Sequence, residues 1–150
     1  LLFNLLNKLY LGDSGSYLLG VSIGSLLVFI YKEISFISPF FVVLLLWYPC
    51  FENLFSIIRK KKFNLSPLNA DNKHLHHLLF YFLNSNYKFS KLFSNNMSSI
   101  LINLVNFIFF IIGANYVNNS LVQIFLIFTL ILIYISTYLV LFKFRYKKIY

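Results

Sequence analysis

The 150-residue chain is 59% hydrophobic, 21% aromatic and only 11% charged, with a formal net charge of +9 and a mean hydropathy of +0.76. Soluble domains carry about 25% charged residues, so the composition excludes an ordinary water-soluble fold and makes the bilayer the expected solvent. The positive excess fits a belt of lysines and arginines facing anionic lipid and not a nucleic-acid surface, because these residues flank apolar runs.

Four stretches contain no Asp, Glu, Lys or Arg: 17–31, 34–51, 100–117 and 121–142. The last would be about 33 Å long as a helix, enough to cross a hydrocarbon core of about 30 Å. The chain therefore reads as an all-α polytopic membrane protein, with transmembrane helices near 17–31, 34–58, 99–117 and 121–142. The first is preceded by "LGDSGSYLLG" (11–20), where Asp13 is the only acid before Glu33 and stands between Gly12, Gly15, Ser14 and Ser16. A helix start accepts aspartate, and a phosphate or metal site requires one. Ser16, Gly20 and Gly24 recur every four residues and predict a close-packing stripe against neighbouring helices.

The second span carries Pro39 and Pro49, and the latter is expected to kink or break it. Glu52 is the only acid inside an apolar segment; it lies about two turns before Arg59, and both a structural role, hydrogen-bonded or ion-paired to Arg or Lys, and a functional one are open for it. Cys50, the single cysteine, has no internal disulfide partner and is expected to pack as a small hydrophobe.

The segment 59–97 opens on the basic cluster RKKK at 59–62 and holds every histidine of the chain, His74, His76 and His77. Ser66-Pro67 interrupts the chain and Asp71 or Asn72 is the expected cap of an amphipathic helix near 72–83. Leu75, Leu78, Leu79 and Phe82 form its apolar stripe, His74 and His77 share another face, and His76 projects elsewhere. The helix is expected to lie on the membrane surface with the imidazoles and Lys73 turned to water or to a site. Spacing alone leaves three readings open: a zinc site, a solvated interfacial face, or an anion site where imidazole and ammonium donors converge on phosphates.

Of the thirteen basic residues, all but Lys32 fall on one side when the spans alternate: Lys8, 59–62, Lys73, Lys88, Lys91, Lys143, Arg145, Lys147 and Lys148. Basic residues stay on the cytoplasmic face, which places 1–16, the 59–97 loop and the C-terminus in the cytoplasm. Leu1 and the absence of a signal-peptide layout suggest a piece of a longer polypeptide.

Together, "LGDSGS" opening a span, "IIRKKK" leading into the loop, and "SPLNADNKHLHHLL" within it resemble the C-terminal half of the polyprenyl-phosphate N-acetylhexosamine-1-phosphate transferases. These bacterial inner-membrane enzymes are relatives of the phospho-N-acetylmuramoyl-pentapeptide transferase. The resemblance covers most of the chain and fades after about residue 85. It implies Mg²⁺-dependent transfer (with Mn²⁺ as a substitute) of an N-acetylhexosamine-1-phosphate from a UDP-N-acetylhexosamine to undecaprenyl phosphate, releasing UMP, as the first membrane step of a cell-surface glycan pathway.

Carried over, the family's metal-binding aspartate falls on Asp13, with Gly12, Gly15 and Ser16 letting the backbone approach the diphosphate and Lys8 on a lysine common before the motif. The histidine motif falls on His74, His76 and His77, preceded by Asp71, with Lys73 in a basic position; in the family this loop lies over the nucleotide diphosphate. The resemblance thus implies catalytic roles for Asp13, His74 and His77 and substrate-binding roles for the others. Glu52 stands where members often have Asp. The family's upstream aspartates are not in the chain, which implies that this stretch alone is inactive. The Phe-rich run 100–117 offers a homodimer face. A non-catalytic membrane subunit or transporter segment, with a basic loop for lipid or a partner, is the alternative.

Overall fold

The structure is a computed structural model that describes residues 12–64, 66 and 71–146. It contains five helices in this order: α1 (Gly12–Glu33), α2 (Pro39–Lys62), α3 (Leu75–Tyr87), α4 (Lys91–Asn115) and α5 (Ser120–Tyr146), with no strand among the described residues. All but α3 are long and apolar enough to cross a membrane, as the charge-free runs predict. The chain is an all-helical, multi-pass membrane protein.

Helix ends depart from the expected ones for local reasons. α1 starts at Gly12, before the expected span near 17–31: Gly12 has φ +67°, which glycine adopts without strain, and Asp13 then sits in the first turn, where the helix dipole favours an acid. α2 starts late, because Ser38 is an N-cap whose Oγ accepts from Phe40 N at 3.2 Å and Pro39 fits the first helical position. Of the expected kink or break at Pro49, the break does not occur: the helix runs on through it and ends on the basic cluster at Lys62. Its other backbone bonds and its packing outweigh the one bond that proline removes. In α4 the Ser90 hydroxyl accepts from Phe93 N, which brings the helix start forward to Lys91.

At one end of the bundle the two short connections meet. Ser38 N donates to Val117 O at 2.9 Å, and the Ser38 and Ser120 hydroxyls are hydrogen-bonded at 2.8 Å. Beside them α2 and α4 approach so closely that a Cβ on Gly113 would lie 2.5 Å from Leu44 Cδ2 and 3.1 Å from Gln123 Oε1. Gln123 uses the room by donating from Nε2 to the carbonyls of Gly113 and Tyr116, both at 2.8 Å. The core lies along α2, α3 and α5, where Leu44, Trp47, Leu75, Leu78, Leu126, Leu130, Tyr134, Tyr138 and Leu141 are buried together. Mid-bundle, Trp47 Nε1 donates to Asn106 Oδ1 at 2.9 Å, satisfying two buried polar groups across α2 and α4.

The outer faces are apolar and open, from Leu121 on α5 (79% exposed) to Leu18 on α1 (70%), as lipid-facing surfaces must be. α1 buries none of its residues. The expected packing stripe is not used within the described chain: a Cβ on Gly20 or Gly24 would meet nothing within 4 Å. Cys50 is likewise exposed instead of packed.

Candidate functional site: an imidazole cluster at the basic end of the bundle

The opposite end of the bundle is built by two arginines that pin the segment leading into α3. Arg59, in the last turn of α2, reaches across it with both terminal nitrogens. Nη1 donates to Lys73 O at 2.6 Å and to Tyr138 Oη at 2.7 Å, while Nη2 donates to Ser56 Oγ at 3.3 Å and pairs with the Asp71 carboxylate. The other Asp71 oxygen accepts from Lys73 N at 2.9 Å, closing a tight turn. From the end of α5, Arg145 Nη1 donates to Asn72 O at 2.9 Å. Burial pushes the Asp71 carboxyl up, but the Lys73 amide and the Arg59 guanidinium outweigh it and hold the acid below the ordinary carboxylate range.

With Asp71 engaged in this turn, it cannot cap the helix. α3 therefore starts at Leu75, three residues later than expected, with His74 as N-cap in extended conformation (φ −70°, ψ 152°) and without a side-chain capping bond of its own. The cap comes from another helix. Glu52 of α2 accepts from Leu75 N on Oε1 at 3.1 Å, and the same oxygen is 2.8 Å from His74 Nδ1. Its Oε2 accepts from the Tyr134 hydroxyl of α5. This acid joins two spans to the histidine loop. A carboxylate at a helix N-terminus also satisfies the dipole.

The same shift regroups the histidines. Because His74 is extended, its ring turns back over the helix start and lies nearly parallel to that of His76, with centroids 5.7 Å apart at 17°. His76 and His77 are 4.2 Å apart, and His74 and His77 6.4 Å. His76 thus does not project elsewhere; it completes a three-imidazole cluster. Burial holds the His76 and His77 imidazoles below their ordinary value, and like charge adds to it, from His77 on His76 and from His74 and Arg145 on His77.

The cluster is bordered by cations on aromatic faces. Lys73 Nζ stands 6.0 Å from the Phe63 ring and 5.7 Å from the Tyr146 ring, and the Arg145 guanidinium is 5.1 Å from Tyr81 and 5.5 Å from Tyr146. The predicted apolar stripe is spent on protein, not lipid. Leu75 and Leu78 are buried, and Leu79 and Phe82 pack against the core, so α3 is docked on α4 and α5.

The predicted residues at the start of α1 make no hydrogen bond to this cluster. Gly12, Asp13, Gly15 and Ser16 form the first turns of α1, where the Ser16 hydroxyl donates to Asp13 O at 2.8 Å. Asp13 is exposed, and its carboxylate has no hydrogen-bond partner among the described residues. Lys8 lies outside the described residues. Among the described residues no three His, Cys, Asp or Glu side chains are grouped to hold a metal, so the three imidazoles do not make a zinc site with an acid or thiol ligand. Sequence reasoning left the role of Glu52 open and passed over Tyr134, Arg59 and Arg145 as site residues. Arg59 was hidden as the first of four consecutive cations.

Imidazole, ammonium and guanidinium groups side by side on a loop mounted on membrane spans form a class of site whose donors suit phosphorylated ligands. Comparison with known proteins narrows the class. The chain is 36% identical over 104 residues to a probable undecaprenyl-phosphate N-acetylglucosaminyl 1-phosphate transferase of Bacillus subtilis, a match covering 68% of this chain and 26% of that protein. It is 34% identical over 84 residues to a decaprenyl-phosphate N-acetylglucosaminephosphotransferase of Mycolicibacterium smegmatis, covering 48% of this chain and 21% of the relative. It is 33% identical over 72 residues to an undecaprenyl-phosphate alpha-N-acetylglucosaminyl 1-phosphate transferase of Thermotoga maritima, covering 47% and 23%. The chain is a relative of the polyprenyl-phosphate N-acetylhexosamine-1-phosphate transferases and spans about a quarter of the length of these proteins. No family model matches it, and no solved structure does.

Proposed function

We propose that the chain contributes part of the site of a membrane transferase that moves an N-acetylhexosamine-1-phosphate from a UDP-sugar to a polyprenyl phosphate. The observation that carries this reading is the three-imidazole cluster, held at the basic end of the bundle by Arg59, Arg145 and Glu52. The names of the three relatives, each a polyprenyl-phosphate sugar-phosphate transferase, support it. In the reaction an oxygen of the lipid phosphate bonds to the β-phosphorus of the donor. The bond from that phosphorus to the bridging oxygen breaks, and UMP leaves with the electron pair. Such a transfer needs positioning and offset of negative charge more than covalent help.

Lys73, His74, His76 and His77 would hold the donor's phosphates. His76 and His77, neutral at pH 7, donate one N–H each and take up a proton as a dianion arrives. Asp13, whose carboxylate at the start of α1 has no hydrogen-bond partner among the described residues, is a hard oxygen donor of the kind Mg²⁺ prefers, and that ion keeps several water or phosphate ligands alongside one or two carboxylates. The residues present therefore fit a contribution of one protein ligand. Bound there, Mg²⁺ (or Mn²⁺) would offset charge on the diphosphate oxygens. Gly12 and Gly15 leave the backbone open to a ligand beside it. The basic end, carrying Arg59, Lys73, Lys143 and Arg145, faces the cytoplasm of a bacterial inner membrane by the charge rule.

The test uses the full-length protein in membranes with UDP-N-acetylglucosamine, undecaprenyl phosphate and Mg²⁺. Wild type is expected to form lipid-linked sugar diphosphate, and Asp13→Asn is expected to lose it without loss of protein. Near-normal turnover by Asp13→Asn would remove the metal role. No product from wild type with any UDP-amino sugar would favour a non-catalytic subunit.

A further inference from the structure

We propose that Glu52 is a positioning residue that fixes the tautomer of His74, so that the imidazole presents Nε2 to the phosphorylated ligand. The assignment follows from what each atom is able to do. A backbone amide only donates, so Glu52 Oε1, 3.1 Å from Leu75 N, is an acceptor. The same Oε1 lies 2.8 Å from His74 Nδ1, and an accepting oxygen needs a hydrogen on that nitrogen. Nδ1 therefore carries its proton whether the ring is neutral or charged, and Nε2 is the nitrogen left for a ligand. Neutral, it accepts a proton or a hydrogen bond; charged, it donates one.

The carboxylate has little freedom to do otherwise. Glu52 is 8% exposed, and its second oxygen is engaged by Tyr134, itself 2% exposed. Its three partners come from α5, the loop and the first turn of α3, so one buried acid registers the loop against two spans. The His76 ring stands nearly parallel to that of His74, with centroids 5.7 Å apart. A carboxylate that orients a ligand-binding imidazole through its second nitrogen is the arrangement that fixes histidine tautomers at metal sites, and the same physics serves an anion.

The identity of the ligand rests on the proposed function, whereas the tautomer does not, so the two fail separately. The experiment is ¹⁵N NMR of the full-length protein in nanodiscs with ¹⁵N-labelled histidine, His74 being assigned by His74→Gln. Wild type is expected to show a proton on His74 Nδ1, with Nε2 the bare nitrogen wherever the ring is neutral. Glu52→Gln keeps an acceptor oxygen and is expected to retain that pattern. Glu52→Leu removes it and is expected to convert His74 to a mixture in which Nε2 is protonated. Binding of UDP-N-acetylglucosamine is then expected to weaken on the order of tenfold in Glu52→Leu and less in Glu52→Gln. A wild-type spectrum with Nε2 protonated and Nδ1 bare would overturn the proposal, even if Glu52→Leu does not fold. So would an unchanged His74 pattern in a folded Glu52→Leu. Absence of UDP-sugar binding to wild type, with the Nδ1–H tautomer intact, would overturn the ligand and leave the positioning role standing.

Discussion

Removing the fork of Arg59 should release the histidine loop without dissolving the bundle. The guanidinium is about 10% exposed, as is Asp71, and it serves the Asp71 carboxylate, Lys73 O, Tyr138 Oη and Ser56 Oγ from two nitrogens set apart by its planar geometry. Arg59→Lys keeps the charge but has a single nitrogen, which cannot reach the pairs on both sides. Hydrogen bonds to charged groups are worth about 1.5–3 kcal/mol each, and stripping a partner from a buried ion pair costs about 3–5 kcal/mol. Asp71 keeps the Lys73 amide, which puts Arg59→Ala at the lower end, about 3 kcal/mol, and Arg59→Lys at roughly half of that. The assay is hydrogen exchange by mass spectrometry on peptides covering 71–80. About 3 kcal/mol corresponds to opening on the order of a hundredfold more often in Arg59→Ala, with the amides of α4 and α5 unchanged. Unchanged protection of 71–80 in a folded Arg59→Ala would refute the pinning role. Equal loss across α4 and α5 would show that the arginine supports the whole bundle instead.

Gly113→Ala forces a Cβ to within 2.5 Å of the fully buried Leu44, so the Leu44 side chain or the two helices must shift, and thermal unfolding in detergent should show a loss of about 1–3 kcal/mol. Trp47→Phe leaves the Asn106 amide buried without its partner and should cost about 1–3 kcal/mol, most of it recovered when Asn106→Leu is added; no recovery would mean that the cost is ring packing. His76 and His77 are held below 6.5 in the folded protein, so the fold binds fewer protons than the unfolded chain. Their contribution to stability is complete above 6.5 and is lost as the pH falls through the folded values. The melting temperature should therefore drop between pH 7.5 and 5, and the drop should shrink in the His76→Gln, His77→Gln double variant.

The spans were legible because a membrane helix is written in one local signal, a charge-free run longer than the hydrocarbon core is thick. The helix caps were less so. Asp71 has the chemistry of an N-cap, yet Arg59, twelve residues earlier, and the Lys73 amide take both of its oxygens. That single competition moves the start of α3 to Leu75, and with it the direction of His74. Helical-wheel spacing assigned His74 to the face of His77 and sent His76 away, but an extended residue before the helix obeys no wheel. Glu52 and His74 lie 22 residues apart on different elements, and no periodicity connects them. The small residues carry a second lesson. Gly20 and Gly24 have a packing spacing whose partner is not among the described residues, while isolated Gly113, without a partner at four residues, marks a close crossing of α2 and α4.

The most direct test of the central reading is the His77→Ala variant of the full-length protein, in membranes supplied with UDP-N-acetylglucosamine, undecaprenyl phosphate and Mg²⁺. His77 lies in the imidazole cluster but makes none of the hydrogen bonds that pin the loop, so the variant should fold and keep the protection of 71–80. The predicted result is that wild type releases one UMP for each lipid-linked sugar diphosphate formed, while His77→Ala loses affinity for the UDP-sugar and turnover together. Normal binding and turnover by His77→Ala would contradict the account and return the histidines to a solvated face with no chemistry.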